Sequence, residues 1–199
     1  MFQSEADCLL FVETLGESLA RSGVELHAWV RMPNHYHLAA STPRGNLSRW
    51  MAWQQTTYTA RYNRRYRRVG HLFQGRYRAE VVDADGYARH LVLYIHLNPI
   101  RRRRGGHCEF TGGLKELEVL RWSGHMDLAG LRKKPPVPLS PAWAYYWSRG
   151  KTGMARGYRQ AIREATALEP EDWKDFVLRG LVARGPMWPG IWATKMAAG

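Results

Sequence analysis

Two histidines one residue apart, His35 and His37, and a tyrosine followed four positions later by an asparagine, Tyr94 and Asn98, are the side chains of this sequence best suited to chemistry. Two imidazole nitrogens and a neutral amide oxygen suit a divalent cation such as Mg²⁺ or Mn²⁺, leave positions open for phosphate oxygens, and keep the centre electropositive. A cation held there polarises a phosphodiester. A free phenol ionises near about pH 10, so Tyr94 becomes a nucleophile at neutral pH only with a cation or base close by. Plainer roles exist for the same residues. An H-x-H pair on a strand can be a surface or hydrogen-bonded core pair, and Tyr94 can be a core aromatic of an amphipathic helix; residue types alone leave both alternatives open.

The elements that must position these groups are legible. Residues 35–41 read as a strand, and its two-residue period puts both imidazoles on one face and Tyr36 on the other. A preceding strand over 24–32 joins it through the turn-forming Pro33-Asn34, which predicts a β-hairpin. Tyr94 and Asn98 fall at the end of a helix that starts at Asp83 or Asp85, runs through Leu97 and is stopped by Pro99. A spacing of four sets both on one helix face. His90, one turn before Tyr94, could sense its proton, whereas His96 points to another face; both read more simply as structural. Ahead of the hairpin, Leu9, Leu10, Val12, Leu15 and Leu19 predict a helix from Ala6 to Arg21 closed by Ser22-Gly23, and a second helix runs from Asn46 to about Tyr66. A strand follows in RYRAEVV, ending at Val82. This order predicts an α+β fold with helices packed on one face of an antiparallel sheet.

Charge identifies the class of partner. The chain has 199 residues, a formal net charge of +13 and 45% hydrophobic content, so it is folded and seeks a polyanion. No Asp or Glu occurs from Leu26 through Ala79, a stretch that holds ten arginines. Within or beside it, Arg61, Arg64, Arg65, Arg67, Arg68, His71, Gln74, Arg76 and Arg78 are the candidate DNA contacts, while Trp50, Trp53, Tyr58 and Tyr62 are aromatics of which one or two could stack on unpaired bases. Cys8 and Cys108 show no metal or disulfide spacing, and neither a signal peptide nor a long apolar run is present, so a soluble, cytoplasmic, nucleoid-associated protein with no membrane partner is expected. RRRRGG at 101–106 and the prolines 135, 136, 138 and 141 mark composition breaks. They predict a catalytic domain over 1–106, a connecting segment over 107–141 and a small helical C-terminal extension over 142–199, with helices at 153–167 and 171–183.

HAWVRMPNHYHLAASTPRGNLSRWM, RVGHLFQGRYRAEVVDADGY and YIHLNPIR, in that order, closely resemble the REP-associated tyrosine transposases, relatives of the single-tyrosine HUH transposases of bacterial insertion sequences. The resemblance covers roughly residues 4–103. It implies that His35 and His37 are metal ligands, that Asn98 is the third, and that Tyr94 is the nucleophile. It further implies cleavage and rejoining of single-stranded DNA beside palindromic hairpins through a 5′-phosphotyrosine, with Mg²⁺ or Mn²⁺, by a monomer or homodimer. The implied fold is a ferredoxin-like antiparallel sheet whose first strand, ahead of the helix that begins at Ala6, is missing here. A domesticated, non-catalytic DNA-binding protein is the competing expectation. A small-substrate metal hydrolase is disfavoured because no carboxylate base lies in the acid-free stretch.

Overall fold

The computed structural model describes residues 1–82, 84–104, 107–110, 113–141, 147, 153–168 and 191–197. Helix α1 (Glu5–Ser22) starts where Ser4 caps it: the Ser4 hydroxyl accepts from the Asp7 amide, and the Asp7 carboxylate accepts from the Ser4 amide at 2.9 Å. It ends at Gly23, whose φ of 67° is the left-handed conformation a C-terminal cap requires. Strands β1 (Glu25–Arg31) and β2 (His35–Ser41) form the expected hairpin, with a bulge at His27 where the register shifts between Leu26 and Ala28. Helix α2 (Leu47–Tyr66) lies against α1, tied by the Arg61–Glu17 ion pair and by the buried Trp50 indole, which donates to the Ser18 hydroxyl at 2.8 Å. Strand β3 (Arg78–Val82) and helix α3 (Ala84–Leu97) follow, and a 3-10 turn over Asn98–Ile100 leads into a hairpin of β4 (Arg101–Arg104) and β5 (His107–Phe110). Short helices α4 (Leu114–Glu118) and α5 (His125–Leu128), helix α6 (Met154–Thr166) and strand β6 (Ile191–Ala197) complete the described elements.

Helices lie on both faces of the sheet, not on one. The hairpin residues are buried almost continuously, and alternate positions feed two separate cores. Ala28, Val30 and Ala39 pack with α3, α5 and α6, while Leu26, Tyr36, Leu38 and Ala40 pack with α1 and α2. A strand apolar on both sides needs cover on both sides. The arginine run 101–104 is a strand paired with 107–110.

The C-terminal extension is not wholly helical either. A helix forms near 153–167 as expected, the expected helix at 171–183 lies outside the described residues, and 191–197 is a strand within the main sheet. The order of that sheet is β1-β2-β6-β3, with β6 antiparallel to both neighbours: His37 is opposite Lys195 on one side and Arg78 is opposite Lys195 on the other. No strand precedes α1 among the described residues, so the pairing partner that β2 needs on its second edge comes from the far end of the chain. Each backbone group left unpaired there in a buried setting costs on the order of 1–3 kcal/mol. Deletion of residues 191–199 is therefore expected to strip β2 of hydrogen-exchange protection over 35–41 and to abolish a cooperative melt; protection equal to that of the full chain would contradict the sheet order.

Buried histidines set the acid response. Burial lowers His27 to about 3 and His125 to about 4, and it lowers the fully buried His96 as well. Between pH 6.5 and 4 the unfolded chain therefore binds protons at imidazoles that the native chain keeps neutral, so stability falls as pH drops through this window. Asp127, raised to about 6 by burial against the opposing pull of Arg132, acts in the other direction but is one group against three. The net expectation is a loss on the order of a few kcal/mol by about pH 4. A melting temperature that stays flat from pH 6.5 to 4 would overturn it.

Candidate active site

Strand β2 and helix α3 bring the predicted residues together. His35 and His37 project from the β2 face that meets α3, with ring centroids 5.0 Å apart and planes at 80°. His37 is buried at 7% exposure, and its ring centroid lies 6.1 Å from that of Tyr94, edge to face. The His35 Nδ1–H donates to the Asn34 side-chain oxygen at 2.7 Å, the tautomer in which Nε2 carries the lone pair. Asn34 had been expected only as a turn residue. Its place immediately before the H-x-H pair was the available signal.

Asn98 stands one turn beyond Tyr94, but in the 3-10 turn that follows α3, not in the helix itself. Its Nδ2 donates to the Tyr94 backbone carbonyl at 2.8 Å, so the side-chain oxygen is the end left for other partners. Pro99 follows, which is why the helix yields to a tighter turn here. Arg101 completes the cluster: its guanidinium carbon lies 5.0 Å from the Tyr94 ring centroid. Sequence reasoning assigned Arg101 no role, because a run of four arginines conceals which one turns inward.

The remaining histidines of α3 are placed differently. His96 is fully buried, and its Nδ1 meets the Tyr158 hydroxyl at 2.9 Å; His125 Nδ1 meets the same hydroxyl at 2.8 Å. This is a structural link between α3, α5 and α6. His90 is half-buried.

The donor chemistry fits a divalent cation. Two imidazoles share one face, one of them oriented by an amide oxygen, and Asn98, bonded to the Tyr94 carbonyl, carries a neutral oxygen donor. Among the described residues no group of three or more His, Cys, Asp or Glu could hold a metal.

The candidate DNA contacts separate into two sets. Arg61 is committed to Glu17 through two hydrogen bonds of 2.9 and 2.8 Å and also donates to Thr14, which braces α2 against α1. Arg65 lies 3.5 Å from the buried Asp7 carboxylate. Arg64, Arg67, Arg68, His71, Gln74, Arg76 and Arg78 are exposed at the end of α2, in the loop after it and at the start of β3. Trp50, Tyr58 and Tyr62 are core residues, and Trp53 is half-exposed.

Residues 4–98, a little under half of the chain, match the family model described as transposase, IS200 like. No curated protein and no solved structure matched the chain. The matched stretch contains the β2 histidines, Tyr94 and Asn98 and stops at that asparagine.

If the two imidazoles hold the ion, His37→Gln is expected to weaken Mn²⁺ binding at least ten-fold in electron paramagnetic resonance titrations. Asn34→Ala, which leaves both ligands in place but frees the His35 ring, should weaken it by about ten-fold. Unchanged Mn²⁺ affinity in both variants would remove the metal from this site.

Proposed function

We propose that the IS200-like transposase domain over residues 4–98 cleaves and rejoins single-stranded DNA by direct attack of Tyr94 on a phosphodiester. The family itself implies transposition of single-stranded DNA with a divalent metal. The observation that carries the finer reading is the juxtaposition of two strand histidines, 5.0 Å apart, with a tyrosine ring 6.1 Å from His37.

His35 and His37, with the Asn98 side-chain oxygen, would hold Mg²⁺ or Mn²⁺, which when bound polarises the phosphate and offsets the charge that builds on it. The chain's own groups do the rest. Tyr94 Oη forms a bond to phosphorus as the bond from phosphorus to the 3′ oxygen breaks; the phenol proton passes to water, and the leaving 3′ oxygen takes a proton from water to end as a 3′-OH. One phosphodiester replaces another, so the bond energy is retained and a 3′-OH can reverse the step without ATP. Asn98 tethers the backbone carbonyl of Tyr94 and so fixes the end of α3 that carries the nucleophile. Arg101 places positive charge beside the ring, where negative charge develops in the transition state.

The sheet supports a ferredoxin-like reading in which β6 occupies the slot of the family's first strand. The exposed arginines from Arg64 to Arg78 would track the DNA backbone as it approaches. Hairpins of repetitive palindromic elements are the proposed targets, following the close resemblance of the MPNHYH, GHLFQGR and YIHLNP blocks to the REP-associated group. The working form would be a monomer or homodimer, and no described helix is long and apolar enough to cross a membrane.

Incubating the protein and Mn²⁺ with a single-stranded oligonucleotide carrying a hairpin should give a protein–DNA adduct stable to denaturing gel electrophoresis. Tyr94→Phe should remove the adduct entirely while leaving DNA binding within about two-fold. Absence of an adduct from the unaltered protein across hairpin substrates would sink the enzymatic reading in favour of a DNA-binding protein.

A further inference from the structure

A second basic feature lies away from the histidines, in the layer of α1 and α2 on the other face of the sheet. A cleft of about 490 Å³ opens between the end of α1 and the start of α2, lined by Ser18, Arg21, Arg44, Asn46, Arg49 and Trp53 among others. That size is in the range of small-ligand sites. Its lining contains three arginines and no carboxylate. Among the described residues neither Arg44 nor Arg49 makes an ion pair, in contrast to Arg61 and Arg65 further along α2.

The aromatic component is specific. Trp50 is buried, and its indole is committed to Ser18, so it forms the floor. Trp53, one turn on, is half-exposed, and the Arg21 guanidinium carbon lies 5.3 Å from its ring centroid. Arg44 lies against the α1 end, its guanidinium carbon 3.4 Å from where a Cβ on Gly23 would stand. Asn46 donates its amide to the Ser22 carbonyl at 3.0 Å, which leaves its side-chain oxygen buried without a donor. An acceptor in that position wants an N–H from a ligand.

Arginines free to take phosphate, an indole face, and an unfilled acceptor together match one chemical class. We propose that this cleft binds an unpaired nucleotide of the single-stranded DNA substrate, with the base stacked on Trp53, its N–H groups turned to Asn46, and the flanking phosphates on Arg44 and Arg49. The proposal deepens the reading of the protein as a DNA-processing enzyme and rests on it for the choice of polymer. Because the cleft and the histidines lie on opposite faces of the sheet, a strand held in both passes around the domain. The cleft therefore reads DNA that is not being cut.

Binding can be measured apart from cleavage by placing every variant in a Tyr94→Phe background and titrating a fluorescein-labelled single-stranded oligonucleotide by anisotropy. Two strands are compared, one base-bearing throughout and one with abasic sites in place of successive bases. Trp53→Ala is expected to weaken the base-bearing strand roughly ten-fold or more, as loss of one stacked base does, and to leave the abasic strand within about two-fold; Trp53→Phe should keep most of the affinity. Arg44→Ala with Arg49→Ala should weaken both strands and reduce the slope of log affinity against log salt by about 1.4, the value for two phosphates on a single strand. Equal loss on base-bearing and abasic strands for Trp53→Ala, or an unchanged salt slope for the arginine pair, would overturn the site. Adduct formation by Trp53→Ala with Tyr94 intact, at saturating DNA, reports the chemistry separately. If discrimination between the strands persists while no adduct forms, the cleft stands and the cleavage reading fails.

Discussion

Everything in this fold depends on β2 being buried from both sides while it carries two imidazoles. A strand has only two faces and alternates between them. Tyr36, Leu38 and Ala40 take the face covered by α1 and α2, which leaves His35, His37 and Ala39 to the face covered by α3. The histidines are thus held in a wall, with His37 almost fully enclosed and His35 half-buried at the end of the strand. A one-residue slip in the hairpin would turn both imidazoles into the other core and bring Tyr36 to Tyr94. The bulge at His27 and the short Pro33-Asn34 turn pin that register at both ends of the hairpin.

Tyr94 is positioned by the same wall from the opposite side. Leu91, Val92, Leu93, Ile95 and Leu97 seat α3 in the core, and they set the angle at which Tyr94 faces His37. Farther along, His96 meets Tyr158, so the helix that carries the tyrosine is also keyed to α6, well outside the matched transposase domain. Residues beyond 98 are part of how the site keeps its shape, although the matched stretch ends there.

Local features were readable in the sequence, and long-range ones were not. The H-x-H alternation, the helix ends at Gly23 and Pro99, and the hairpin all follow from rules that act over a few residues, and the structure places them within a residue or two of expectation. The approach of Tyr94 to His37 needed the resemblance, because nothing local says that α3 crosses β2. Two-faced burial was present in ELHAWVR and HYHLAAS, whose apolar residues do not alternate with polar ones, yet the order of elements suggested cover on one side only. Arg61 illustrates the limit most clearly. In sequence it is one more arginine of a basic run, and only the fold shows Glu17 beside it. Strand 191–197 had no signal at all, since its role is defined by the edge it fills.

That strand has a consequence for how the protein comes to exist. Ser41 and Ile191 are opposite each other in the sheet and 150 positions apart in the chain. During synthesis the hairpin, α1 and α2 emerge early, but the seat beside β2 stays empty until residues 191–197 have left the ribosome. Closing so long a loop costs about 2 kcal/mol more than closing one of ~20 residues, and pairings of such high sequence separation form slowly. For that interval the nascent chain displays an unpaired β edge on the strand that carries His35 and His37, the kind of surface on which strands of other molecules add.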